Sequence, residues 1–282
     1  QGTHFNSVIG GSIGVAQVGS GSTVLSGVNT YTGATRVTAG VLHVQSGNIN
    51  GSSGVTVNGS GAEFKYNSAT ALTKPLTLTQ GTLSGTGSIS SAGGVSAGTN
   101  AILSPGNSPG AQAYTTGLTL SPGGTYVWET NSGTGTKGVN WDLINVTSGG
   151  LNLSALSGTG KFTLDLATLT AGGSSGPMDN YSAGGTYTWR IFDANALTLP
   201  GSFSLPYAGT NITSLFNIVT TKWMNTVPAS NDISVKVAAD GTGLDLVVVP
   251  EPGTLAIAGI GAGLAMWRSL RRRCRTPRHE RG

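Results

Sequence analysis

The sequence predicts an all-β chain of short strands wound through glycine-rich turns, followed by a single C-terminal helix. Three observations predict it. Glycine supplies 46 of the 282 residues without a Gly-X-Y period, and between the glycines lie short Val, Leu and Ile runs at alternating positions. Alternation of that kind is the period of a strand. No helical periodicity occurs before residue 250, which excludes a helix bundle. After residue 249 the composition changes abruptly, to an apolar run closed by arginines.

The strands are read in order along the chain. VLHV (41–44), VTV (55–57), FKY (64–66), LTL (76–78) and VSA (95–97) are short strands divided by Gly/Ser/Asn turns. A chain that turns a corner every few residues needs many positive-φ positions, and glycine takes them without steric cost. SPGNSPG (104–110) is a turn-dense break, so 1–110 and 111–249 are taken as the two parts of the body. In the second part SPGGTYVWET (121–130) and SAGGTYTWRI (182–191) echo each other at an offset of 61 residues. Period two places Tyr126 with Trp128, and Tyr187 with Trp189, on one face of their strands. Such a stripe is either a stacking platform for sugar rings or core filling, and the large packing area of aromatics favours the core. ISVKV (233–237) and LDLVV (244–248) alternate around Asp240-Gly241 and read as a hairpin. Its inward residues are Val235, Val237, Leu244, Leu246 and Val248, and Lys236 and Asp245 point outward.

The end of the chain has three parts in fixed order: Pro250-Glu251-Pro252, an apolar stretch over 253–267, and a cluster of Arg268, Arg271, Arg272, Arg273 and Arg275. The two prolines disfavour helix at Val249 and Glu251, leaving an extended segment with two fewer N–H donors. As a helix the apolar stretch reaches about 22 Å, short of a hydrocarbon core of roughly 30 Å. Trp267 at the interface and snorkelling arginines recover part of the difference. A basic run directly after an apolar helix obeys the positive-inside rule, so the chain end is expected in the cytoplasm and the body outside. The glycines at 259, 261 and 263 form no phosphate loop, because no strand, Lys or Ser/Thr is placed for one. Cys274 is the only cysteine, so no intrachain disulfide is available. The chain begins Gln1-Gly2-Thr3-His4, and export predicts an N-terminal signal that has been removed or omitted.

This tripartite end resembles a PEP-CTERM sorting signal, found on exported bacterial proteins handled by exosortases. The resemblance implies that Pro250, Glu251 and Pro252 mark the processing region and that 253–267 holds the chain transiently in the inner membrane. It further implies that Arg271 to Arg273 fix the topology and that the tail, with its extension 276–282, is lost. A second resemblance lies in SGVNTYTGATRVTAGVLHV (26–44). Gly27, Asn29, Thr30, Tyr31, Gly33, Thr35, Val37, Gly40, Leu42 and Val44 are similar to the autotransporter-associated β-strand repeat. That family implies rungs of a right-handed parallel β-helix-like solenoid over 1–110, with 111–249 a continuation or a second β domain.

The charge of +4 belongs to the end of the chain. Residues 268–282 hold seven Arg and one Glu, a net of +6, and residues 1–267 hold eight Lys+Arg and ten Asp+Glu, a net of −2. The body has no basic patch with interleaved aromatics, so nucleic acid is not an expected partner. Catalysis by acids and bases needs titratable groups held together. The body offers His4 and His43, neither beside a Gly-x-Ser-x-Gly elbow, and an acidic set of Glu129, Asp142, Asp165, Asp179 and Asp193 that is well separated in sequence. Neither a calcium loop nor a metal-ligand spacing is present. The expectation is a non-enzymatic, exported, structural or adhesive protein with no cofactor. Its expected partners are an exosortase-type enzyme, the inner membrane in transit, and extracellular polysaccharide. A polysaccharide-active β-helix enzyme and an autotransporter-like passenger are the alternatives.

Overall fold

The computed structural model describes residues 2–250. The expected membrane helix, Glu251, Pro252, the Arg cluster and Cys274 lie outside them. Among the described residues no helix is long and apolar enough to cross a membrane. They form twenty strands and two short 3-10 turns, an all-β chain.

Most strands stack in parallel, as in a β-helix-like solenoid with three faces. The long face runs through Gly2–Phe5, Ser22–Leu25, Gly40–Val44, the second halves of Val55–Tyr66 and Leu76–Gly85, then Ala101–Pro105, Thr125–Thr130, Phe162–Thr168 and Phe216–Lys222. Each of these neighbours is parallel. The second face begins with Val15–Gln17 and Thr35–Val37 and ends with Val95–Ala97, Leu118–Leu120, Leu151–Asn152 and Leu197–Thr198. The third begins as single bridges, Val28 to Asn48 and Leu72 to Ile89. It then widens into Ala111–Tyr114, Leu143–Val146 and Tyr187–Ala194. The segments VTV and FKY, separate in the sequence reading, lie in one strand that bends at a corner, where its register shifts between Asn58 and Glu63.

Val37 pairs with Val57 and Val57 with Leu78, so early rungs repeat every 20 or 21 residues. Leu118 pairs with Leu151 and Leu151 with Leu197, so later rungs take 33 and 46 residues. The long-face sheet continues across the SPGNSPG segment, because Ala101–Pro105 pairs with strands on either side of it. Inward residues register into ladders. Leu42, Phe64, Leu83, Leu103, Tyr126 and Leu164 follow one another across the rungs, all fully buried. Each such side chain contributes about 1.5–3 kcal/mol on burial.

The 26–44 segment shows why its residue types are needed. Gly40 sits at φ +61, and a Cβ there would lie 2.2 Å from the Gly21 carbonyl oxygen. Asn29, 2 % exposed, donates to the Gly27 and Asn48 carbonyls at 2.8 and 3.2 Å and accepts from the Ile9 N–H at 3.0 Å. One side chain thus ties three successive rungs. The Tyr31 hydroxyl meets Thr35 Oγ1 at 2.6 Å, and Thr35 meets Ser52 at 3.0 Å, all buried. Those bonds satisfy hydroxyls that would otherwise be costly inside a core.

Candidate sorting site at the C-terminal exit

The last strand, Gly243–Val248, lies inside a sheet, between Tyr187–Ala194 and Ile233–Val237, antiparallel to both. The expected hairpin is present: Val235 faces Leu246, Val237 faces Leu244, and Lys236 faces Asp245. Val235, Val237, Leu244, Leu246 and Val248 are buried. The connection is wider than a two-residue turn. Gly241 N–H donates to the Ala238 carbonyl, Ala238 N–H donates to that of Gly243, and Gly241 takes the positive φ of +73. This is a four-residue turn in which Gly241 takes the left-handed position.

Four ionic side chains and one more lysine gather on the outer surface of this sheet. Arg190 Nε donates to Asp245 Oδ1 at 2.6 Å, one terminal nitrogen to Asp193 at 2.8 Å, and the other to Asp240 at 3.0 Å. Lys137 adds a bond of 2.5 Å to Asp193. Burial opposes the Arg190 charge, but the three carboxylates more than offset it and raise its pKa. The N–H and hydroxyl of Thr242, and then Arg190, hold the Asp240 carboxyl well below the usual carboxylate range. In sequence these residues read as an ordinary turn and one isolated arginine, since 50 or more residues separate Arg190 from its hairpin partners.

The chain leaves the sheet at once. Val248 is 1 % exposed and Val249 is 46 % exposed, its N–H donating to the Asp232 carbonyl at 2.9 Å. Pro250, the first residue of the triplet, lines a shallow depression with Ala183, Val227, Pro228 and Asp232. No spacer separates the folded core from the triplet.

The other sequence candidates fall elsewhere. Tyr126, Trp128 and Trp189 have no exposed surface, so they cannot stack on a sugar, which corrects the platform reading. The two echoing segments occupy different faces and meet through the core. Trp128 packs on Trp189 at 5.6 Å, Tyr126 on Phe192 at 5.1 Å, and Tyr187 stacks on Trp189 at 5.1 Å. Only Tyr187, against Tyr181, is half-exposed. Of the acids, Asp165 pairs with Lys222 at 2.6 Å and Asp193 joins the Arg190 cluster. Glu129 and Asp142 are neighbours, contrary to their separation in sequence: Asp142 accepts from the Glu129 N–H at 3.1 Å and from the Gly110 N–H at 2.7 Å. Burial, then Glu129, push the Asp142 pKa well up, against the pull of those two N–H groups. His4 meets Ser26 at 2.6 Å and His43 meets Asn67 at 3.0 Å. Among the described residues, no group of three or more His, Cys, Asp or Glu could hold a metal ion.

Comparison with known proteins returned two partial matches, and no curated protein matched the chain. The passenger-associated-transport-repeat model matches residues 15–44, the segment in which Asn29, Tyr31 and Gly40 knit the first rungs. The PEP-CTERM protein-sorting motif matches residues 248–273, starting on the last buried residue of the last strand. The chain thus carries the sorting signal of an exported protein directly behind a β-helix-like body that contains a passenger-associated repeat.

Proposed function

We propose that this protein is a non-enzymatic structural or adhesive component of the bacterial envelope or extracellular matrix, cleaved by an exosortase at its C-terminal signal. In this reading the apolar stretch 253–267 anchors the chain transiently in the inner membrane. The body, wound in the right-handed sense usual for parallel crossovers, then works as an elongated spacer that contacts extracellular polysaccharide. The observation that carries the reading is the placement of the sorting motif: Val248 belongs to the core, and Pro250 already belongs to the triplet. A processing enzyme acting there would release the whole body intact. The dearth of charge on the surface supports a spacer that makes many shallow polar contacts. The decisive measurement is the mass of the mature C-terminus in envelope and medium fractions. Ending near residue 250 supports the proposal, and an intact 271–282 segment on the secreted form refutes it.

The repeat match favours one second reading, a passenger-like body delivered to the surface. It shares the fold and differs in the route. Deleting residues 268–282 separates the two, because only the sorting route depends on the arginine cluster.

A further inference from the structure

The outward residues of the long face line a groove that crosses several rungs at the SPGNSPG corner. Its polar lining comes from Glu63, Lys65, Ser84, Ser104, Ser108 and Glu129. Period two turns Glu63, Lys65, Ser84, Ser104 and Glu129 to the outer side of their strands, while Phe64, Leu83, Leu103 and Trp128 beside them fill the core. Ser108 joins from the corner loop. Lys65 registers with Ser84 and Ser84 with Ser104, so the middle of the groove is a straight polar ladder. Ser84 Oγ donates to Glu63 at 2.6 Å, and Ser108 Oγ donates to the Glu129 carboxylate.

The far wall is braced from below. Asp142, fully buried, accepts from the Gly110 N–H with one oxygen and from the Glu129 N–H with the other. It therefore holds the end of the corner loop and the strand bearing Glu129 at a fixed distance. Burying a carboxyl is unfavourable, and side chains placed that way often serve a site rather than stability.

The spacing of the two acids indicates what the groove can do. Glu63 registers through Thr82 and Ile102 to Thr125, so Glu129 lies three strands and four residues away. At ~4.8 Å per strand and ~3.3 Å per residue their Cα atoms are about 19 Å apart. A span of that length, lined by carboxylates, hydroxyls and one ammonium group, suits a chain that offers donors and acceptors all along it.

We propose that this groove is a binding site for an uncharged, hydroxyl-rich polysaccharide, an inference that rests on the adhesive reading above and gives it a location. Sugar hydroxyls donate to Glu63 and Glu129 and accept from Lys65 and Ser104, because Ser84 and Ser108 already donate to the two carboxylates. Two carboxylates disfavour a polyanion, and the ammonium group between them disfavours a polycation. The groove has no aromatic floor, so binding at one site is weak, about millimolar, and multiple copies supply avidity.

The full chain, kept in solution with mild detergent, is titrated with neutral dextran and maltodextrin fragments, anionic alginate fragments and cationic chitosan fragments. The expected result is weak binding of a neutral fragment, reduced about five- to tenfold by Glu63→Ala or Glu129→Ala, a loss in keeping with one solvent-competed hydrogen bond. Ser104→Trp, which fills the middle of the ladder from the outer face, abolishes binding while leaving thermal unfolding unchanged. Neutral binding that survives all three substitutions overturns the groove and leaves the adhesive reading standing. Binding of alginate or chitosan alone overturns the ligand class. Binding of none of the fragments overturns both the groove and the polysaccharide reading.

Discussion

Arg190→Met isolates the ionic tie that holds the exit hairpin to the solenoid. Methionine retains much of the apolar stem, which limits the loss of packing. Three bonds disappear, and they are unequal. Asp240 is 54 % exposed, so its bond contributes about 0–1 kcal/mol. Asp193 retains Lys137. Asp245, 17 % exposed, is left without an ion pair among the described residues, and a charge-assisted bond of that kind contributes about 1.5–3 kcal/mol. The expected loss is therefore about 2–4 kcal/mol, a sizeable part of a typical 5–15 kcal/mol stability. For a body of this size that lowers Tm by roughly 4–15 °C. Urea unfolding measures the total, and amide hydrogen exchange at 244–248 shows where it falls. Lys137→Met is the control: Lys137 is 46 % exposed and should cost no more than ~1 kcal/mol. A loss for Arg190→Met no greater than for Lys137→Met, or unchanged exchange at 244–248, refutes the account of the hairpin.

Trp128→Ala removes a fully buried ring packed on Trp189 and the donor to the Asp142 carbonyl. The expected cost is about 3–5 kcal/mol by urea denaturation, and a cost below ~1 kcal/mol contradicts the core assignment. Gly47→Ala would place a Cβ 1.7 Å from the Gly27 carbonyl oxygen on the preceding rung. Overpacking against backbone costs about 1–3 kcal/mol or more, read as a lower denaturation midpoint. The raised Asp142 carboxyl takes up its proton at higher pH in the folded chain than in the unfolded chain, where its pKa is about 3.9. Its contribution to stability therefore rises as pH falls through the raised range and levels off near pH 4. His43, lowered by burial and then by Lys65, acts in the opposite sense. The difference in stability between the wild-type chain and Asp142→Asn cancels the His43 effect, and it should grow in favour of wild type between pH 7 and 4.

Local pattern was legible where local physics governs it. The closing hairpin follows from alternation alone, with Val235 and Leu246 inward and Lys236 and Asp245 outward. The 26–44 segment was legible because Asn29 and Gly40 meet adjacent rungs at short, repeating separations and Tyr31 closes on Thr35 only four residues on. The aromatic echo was legible as period two, but its side was not. Whether Trp128 faces solvent or core depends on which residues lie across the solenoid, and Trp189 lies 61 positions away. Carboxylates were the least legible. Charges act through space, and Arg190 meets Asp240 and Asp245 only after Tyr187–Ala194 pairs with Gly243–Val248.

By itself the sequence determined that the body before residue 250 is all-β, that its turns need glycine, and that a sorting signal follows it. All three depend on near neighbours: backbone sterics, side-chain alternation and the order of short motifs. Only the tertiary structure decided that the sorting motif begins on a buried core residue and that Asp142 braces Glu129 from beneath. It also decided that Glu63 and Glu129 share a groove. These depend on how many residues each rung takes, and insertions in the loops change that number from 20 to 46 without disturbing any local pattern.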